Sequence, residues 1–204
     1  LSFSFHEFSH AYVSYRLGDP TAKNYGRLTL NPLKHLDLFG TIMILISRFG
    51  WAKPVPVNPM YYRDRRRGVM LVSVAGPLSN ILLAFFSSIP VTYIKAVHGS
   101  RGMGSFDGIS ILYNLSLVFY IINVNLAVFN ILPVPPLDGS KILSGILPPA
   151  QYYKMVQYES YISMIFLLIV FIFPEVLSTV MRPFVWVVET AIKTITIPIV
   201  KLLV

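Results

Sequence analysis

The chain has 204 residues, 54% hydrophobic and 13% charged, with a mean hydropathy of +0.63, which excludes an ordinary soluble globular domain and points to a membrane protein. It contains no cysteine, which excludes disulfides and thiolate metal sites, so any metal ligands are His, Asp or Glu. The net charge of +8, from 17 Lys+Arg against 9 Asp+Glu, reads in so apolar a chain as a topology signal and an attraction to anionic lipid, and no nucleic-acid motif accompanies it.

The first element carries the chemistry. Phe5 to Tyr12 reads Phe-His-Glu-Phe-Ser-His-Ala-Tyr. On an α-helix, residues four apart share a face, so His6 and His10 can point imidazole nitrogens at one ion, while Glu7 projects about 100° round from His6, close to the ion without ligating it. In metalloproteases of this pattern the histidines bind Zn²⁺ and the carboxylate takes a proton from the attacking water. The competing reading, decoration of a soluble surface helix, fits poorly with flanks as apolar as Leu1 to Phe5 and Ala11 to Val13, where ionisable groups are costly unless paired or metal-bound. Ser2, His6, His10 and Ser14 form one inward polar stripe. The helix is expected to stop at Leu17-Gly18-Asp19-Pro20. Because it starts almost at Leu1, short of the roughly 20 apolar residues of a full span, the sequence is expected to be a piece of a longer chain.

Thr21 to Tyr62 is irregular. Asn24 to Leu30 alternates as a short strand, and the three prolines between Trp51 and Pro59 keep that stretch extended, so the region predicts a small membrane-associated β element beside the site, with a plain surface loop as the alternative. His35 and Asp37 can contact a metal in principle, although a loop histidine is more often structural. Arg63, Arg65, Arg66 and Arg67 then precede an uncharged span, Gly68 to Ile94, and place that end in the cytoplasm, the side to which Arg16, Lys23, Arg27 and Lys34 also assign the end of the first helix. Gly76-Pro77-Leu-Ser-Asn80 inside the span suits a packed or hydrated interior facing the site, or a helix-to-helix hydrogen bond at a simple kink. A glycine-rich loop, His98 to Asp107, leads to a second span, Ile109 to Leu132, which returns to the cytoplasmic side with Asn123, Asn125 and Asn130 near its end.

Pro133, Pro135 and Pro136 forbid a continuing helix, and Asp138 follows the unwound turn. An acid there either caps the next helix or meets a cation. Catalytic zinc takes three protein ligands and keeps an open fourth position. The first helix supplies two ligands; Asp138 is the best-placed third, with His35 next in line.

His6-Glu7-x-x-His10 with Asn130-x-x-Pro133-x-Pro135-Pro136-Leu137-Asp138-Gly139 downstream resembles the site-2 protease family of intramembrane zinc metalloproteases, in its short prokaryotic-type branch. Gly18-Asp19-Pro20, Gly26 to Pro32 and Gly76-Pro77-x-x-Asn80 extend the resemblance, which runs from about Ser4 to Leu147. The resemblance implies one Zn²⁺ per chain held by His6, His10 and Asp138, Glu7 as catalytic acid/base, Asn130 steadying the oxyanion, and a core of three transmembrane helices with a small sheet. It also implies a transmembrane protein as substrate, cut in or near its membrane segment, and a multi-pass protein of a prokaryotic cell membrane, whose active site the basic helix ends place towards the cytoplasm. The fold expected is therefore an α-helical polytopic membrane protein, with a catalytic core over residues 1–147 and transmembrane or interfacial helices over 148–204. Ser160 to Pro174 makes a span once extended back through Glu159 and Lys154, whose side chains can snorkel. From Val176 onward Arg182, Glu189 and Lys193 share a helical face, which suggests a helix lying in the interface, with a last tilted span as the alternative. A membrane metal carrier and a catalytically silent membrane adaptor are the competing functions. A carrier has no need for Glu7 beside an open metal position, and an adaptor has no need for the intact set His6, Glu7, His10 and Asp138.

Overall fold

The structure is a computed structural model that describes residues 1–47, 53–99 and 107–204. Trp51, Ala52 and all of the His98 to Asp107 loop between Gly99 and Asp107 lie outside the described residues. The helices are α1 (Ser2–Arg16), α2 (Thr21–Asn24), α3 (Leu38–Ser47), α4 (Arg65–His98), α5 (Gly108–Ile131), α6 (Asp138–Ile146), α7 (Pro149–Ile172) and α8 (Pro174–Lys201). Four of them, α4, α5, α7 and α8, are long and apolar enough to cross a membrane. The chain is an α-helical, multi-pass membrane protein.

α4 is the central post, in contact with α1, α5, α6 and α8. Asp64 starts it by accepting the Arg67 N–H at 3.0 Å, which satisfies one of the free donors of the first turn. Its 34 residues run about 51 Å, enough to cross a bilayer and project beyond it. Pro77 lies fully buried inside it and removes one bond from the backbone ladder where α1 packs. α5 starts on Asp107, whose carboxylate accepts the Ser110 N–H at 2.8 Å, and ends where Pro133 follows Leu132. In lipid, apolar side chains gain little from leaving one apolar medium for another, so these helices are held by close packing and by hydrogen bonds between them. Ala84, Tyr120, Val124 and Ile192 pack α4, α5 and α8 together, and Val128, Leu132, Leu137 and Met181 join α5 and the turn after it to α8 nearer Asp138.

Two expectations change. Among the described residues there is no β-strand. Residues 53–58 are extended and attach to the 30s loop through the Lys53 N–H, which donates to the His35 carbonyl at 2.8 Å, but Pro54 and Pro56 carry no N–H with which to extend a ladder. The alternating stretch from Asn24 is interrupted at Gly26, whose φ of 64° suits a turn, and the Arg27 N–H closes back on the Ala22 carbonyl. The second change is α8. It does not lie flat: Met181 packs beside Leu132 and Leu137, Ile192 beside Ala84 and Tyr120, and Thr196 bonds Ser88 at 2.7 Å, so the helix runs lengthwise along α4 and α5. The charges read as an interfacial face stand on the flank of a span instead.

Candidate metal centre

α1 turns its polar stripe inward. Ser2, His6 and Ser14 are buried, and His10 keeps only 11% of its side chain exposed. α6 begins at Asp138 and packs on α4, which carries the aspartate to the histidines from 132 residues away. Gly139, just behind it, is pressed against the Ile131 and Leu132 carbonyls so closely that no Cβ fits, which fixes glycine at that turn.

Three atoms converge. His6 Nε2 and His10 Nε2 are 3.0 Å apart, and each is 3.1 Å from Asp138 Oδ2. Their protons decide what this triangle can do. His10 Nδ1 faces the Val72 carbonyl at 2.7 Å and must donate, because a carbonyl only accepts. His6 Nδ1 faces Asn80 Oδ1 at 2.7 Å, and that oxygen is fixed as the acceptor because Asn80 Nδ2 donates to Asn123 Oδ1 at 2.8 Å. Both neutral rings therefore carry their proton on Nδ1 and turn a bare Nε2 lone pair towards the carboxylate oxygen. Three acceptors aimed at one another repel, and one proton can bridge only one pair of them. A divalent cation satisfies all three at once. The point equidistant from the three atoms lies about 1.8 Å from each, so a modest opening of the triangle gives the 2.0–2.2 Å bonds of zinc. The donor set, two imidazoles and a carboxylate with no thiolate, fits zinc of the catalytic kind.

The supporting shell was only partly visible in the sequence. Asn123 Nδ2 donates to Ser2 Oγ at 3.0 Å and to the Phe119 carbonyl at 2.8 Å, so a chain of amides ties α1, α4 and α5 together behind His6. The Gly76 to Asn80 stretch is expected either to face the site or to make a helix-to-helix hydrogen bond, and Asn80 does both. The pairing of Asn80 with Asn123 and the use of the Val72 carbonyl have no local sequence signal. Gly76 lets the rings in: a Cβ there would meet His10 Nε2 at 2.5 Å and His6 Cε1 at 2.6 Å.

Glu7 stays outside the triangle, half-buried, with Oε2 accepting the Val55 N–H at 3.0 Å. Asn130 is turned along its own helix, its amide donating to the Leu126 carbonyl at 2.9 Å. His35 is not brought to the cluster: it is fully buried in the loop, with Nε2 donating to the Thr29 carbonyl at 2.7 Å. Asp37 caps α3 through the Gly40 N–H at 2.8 Å. At the other end of α1, Asp19 gathers the Ser14 hydroxyl at 2.7 Å, the Asn58 N–H at 2.7 Å and the Thr21 N–H at 2.9 Å, which anchors α1, α2 and the extended segment to one carboxylate. Burial alone would raise its pKa, but these donors outweigh burial and hold it below the usual carboxylate value.

A family model, peptidase family M50, matches residues 90–173. YwhC of Bacillus subtilis, named as a candidate zinc metalloprotease, is 45% identical over 83% of this chain and 76% of its own length. The chain belongs to peptidase family M50, the site-2 protease family. Two further relatives carrying the same kind of name are Rip2 of Mycolicibacterium smegmatis, 31% identical over 73% of this chain, and MJ0611 of Methanocaldococcus jannaschii, 32% identical over 69%. The chain spans 55% and 64% of the length of these two. No solved structure matches it significantly. Membership makes this M50 chain a membrane metalloprotease of a zinc-dependent family, in agreement with the donor set.

Proposed function

We propose that this M50 protein is an intramembrane endopeptidase, cutting a peptide bond in or near a transmembrane segment of another protein, with zinc held by His6, His10 and Asp138. The observation that carries the assignment is the set of two bare Nε2 lone pairs and one carboxylate oxygen facing one another within 3.1 Å. Bound zinc supplies Lewis acidity, which polarises the scissile carbonyl and makes water acidic enough to attack near neutral pH. Everything else is done by side chains. Glu7, about 100° round α1 from His6, takes the proton of the attacking water and delivers it to the leaving amine. Asn130 rotates away from the Leu126 carbonyl and donates to the developing oxyanion. Asn80 and the Val72 carbonyl keep the two rings in the tautomer that leaves Nε2 free.

A helical substrate hides its carbonyls in its own hydrogen bonds, so it has to unwind before it can be cut. Residues 53–58 offer it an extended backbone. In an extended chain, alternate residues face opposite edges. The edge of Pro54 and Pro56 has no donors, and the edge of Lys53 and Val55 faces His35 and Glu7. Basic residues at the α1 end and at the start of α4 orient this half of the molecule to the cytoplasm. Residues 1–147 carry the catalytic core, with 148–204 as added helices.

Elemental analysis of the purified protein tests the ligand set. The wild type is expected to hold about one zinc per chain, Asp138→Ala far less, and Glu7→Gln as much as the wild type while cleavage of a membrane substrate falls by orders of magnitude. Equal zinc in wild type and Asp138→Ala would remove Asp138 from the site. Glu7→Gln that cleaves normally would remove the acid/base role.

A further inference from the structure

α1 is held at both ends of its buried stripe by hydroxyls that take no part in the triangle of His6, His10 and Asp138. At one end Ser2 Oγ accepts from Asn123 Nδ2 at 3.0 Å, which ties it to α5. At the other, Ser14 Oγ lies 2.7 Å from Asp19 Oδ2 and 2.8 Å from the Tyr62 hydroxyl. An ionised carboxylate only accepts, so Ser14 donates to Asp19 and Tyr62 donates to Ser14. The Tyr62 ring lies against Gly68 in the first turn of α4, where a Cβ would collide with it. Ser2, Ser14, Asp19, Tyr62 and Asn123 are all at least nine-tenths buried, so water does not stand in for these bonds.

The two serines are twelve residues apart, about 18 Å along α1 and about 120° round it. Their bonds therefore pull in different directions, and a roll of the helix that relaxes one strains the other. The far side of α1, at Tyr12 and Tyr15, is exposed. The imidazoles are held from behind by Asn80 and the Val72 carbonyl, but each ring hangs on two rotatable bonds, so those contacts fix the ring more tightly than the backbone. A serine hydroxyl sits one rotatable bond from the backbone and holds the helix itself. Glu7, outside the triangle, takes its direction from the roll of α1 and from the Val55 N–H. A roll of about 10° carries a side-chain atom about 5 Å from the axis through about 1 Å, enough to spoil ligation and proton transfer alike. We propose that Ser2 and Ser14 are positioning residues that together fix the roll of α1, and with it the aim of His6, His10 and Glu7. This rests on the zinc assignment proposed for the triangle.

If the serines acted separately, the effects of losing them would multiply, because sites this far apart are independent. As two restraints on one rotation, either serves in part and the loss of both costs more. Ser2→Ala and Ser14→Ala are each expected to weaken zinc binding about threefold, and the double variant about thirtyfold or more against about ninefold for independent sites, by competition with a chelating dye. Ser87→Ala, which removes a buried hydroxyl bonded to the Leu83 and Ala84 carbonyls of its own helix, should stay within about twofold. Spin labels read the roll without metal. The chain has no cysteine, so nitroxides at Tyr12→Cys on α1 and Val118→Cys on α5, both exposed, give one distance. Its distribution is expected to broaden in the double variant and hardly in either single one. Ser2→Ala with Tyr62→Phe, which spares the bond from Ser14 to Asp19, is the gentler form of the test and should show a smaller excess in the same direction. Losses that simply multiply in folded protein, or a distribution no broader in the double variant, would overturn the proposal. Zinc content indifferent to Asp138→Ala would instead overturn the zinc assignment, and the spin-label distances would still decide whether the serines set the roll.

Discussion

Gly76 and Asp19 are each held to their identity by distances. At Gly76 the closest atoms to an added methyl belong to the two rings, at 2.5 and 2.6 Å, and those rings are pinned from behind by Asn80 and the Val72 carbonyl. Gly76→Ala is expected to weaken zinc binding by about tenfold or more while leaving helix content unchanged, as read by competition with a chelating dye and by circular dichroism. Asp19 works through protonation. Its pKa is lower in the folded state than in the unfolded chain, so its contribution is complete above the unfolded value of about 3.9 and is lost as pH falls through the folded value. Asp19→Asn, which turns an NH₂ or a neutral oxygen towards the donors of Ser14 and Asn58, should cost about 1.5–3 kcal/mol of stability near neutral pH. It should also flatten the loss of stability below about pH 4 in thermal melts of the detergent-solubilised protein. At this scale the sequence was generous where side chains sit at fixed spacing on one helix, as with His6 and His10, whose Nε2 atoms meet 3.0 Å apart. It was silent where a backbone carbonyl or a partner 43 residues away does the work, as with Val72 and the Asn80–Asn123 pair.

Among the elements, the segment 53–58 is extended, as its prolines predict, yet belongs to no β element of the kind expected of the region. Prolines made it extended, and the same prolines denied it a ladder; it is held by His35 at one end, Asp19 at the other and Glu7 between them. Val55 is the one residue of Pro54, Val55 and Pro56 with an N–H, and that N–H is spent on the proposed acid/base. Val55→Pro removes it with little other change, and is expected to lower kcat/KM about tenfold at unchanged zinc content, through loss of a charge-assisted hydrogen bond. Val55→Ala, which keeps the N–H, should stay within about twofold. Equal activity of the two variants would detach the segment from Glu7. α8 shows the opposite relation between pattern and place. Arg182, Glu189 and Lys193 on one face fit either an interfacial helix or a span whose charges neutralise one another, and periodicity alone does not separate the two. Tertiary packing does, through the contacts of Met181, Ile192 and Thr196.

The whole molecule is organised round α4, with polar bonds concentrated where His6, His10 and Asp138 converge. Arg66 extends that order to the end of α6: its guanidinium donates to the Ser144 carbonyl at 2.9 Å and to the Leu147 carbonyl, and lies over the Tyr152 ring. α6 is thus fixed at Asp138 by the histidines and at its other end by α4. The spans at α4 and α5 were legible because uncharged length is a property of a single segment. The way they come together was not, because it is set by amides and carbonyls that meet only after folding.

The 132 residues between His6 and Asp138 also have a meaning in time. A ribosome adding about 5–20 residues per second completes that interval in roughly 7–26 s. Throughout it α1 is already made, with two imidazoles in an apolar helix and no carboxylate to face. Asn80 is synthesised first, and can settle His6 into its tautomer; Asn123 then braces Asn80; Asp138 arrives last of the three. The growing chain therefore acquires the supports of the proposed metal-binding atoms before it acquires the last of those atoms, and a newborn molecule cannot close the triangle of His6, His10 and Asp138 until its chain has been made as far as Asp138.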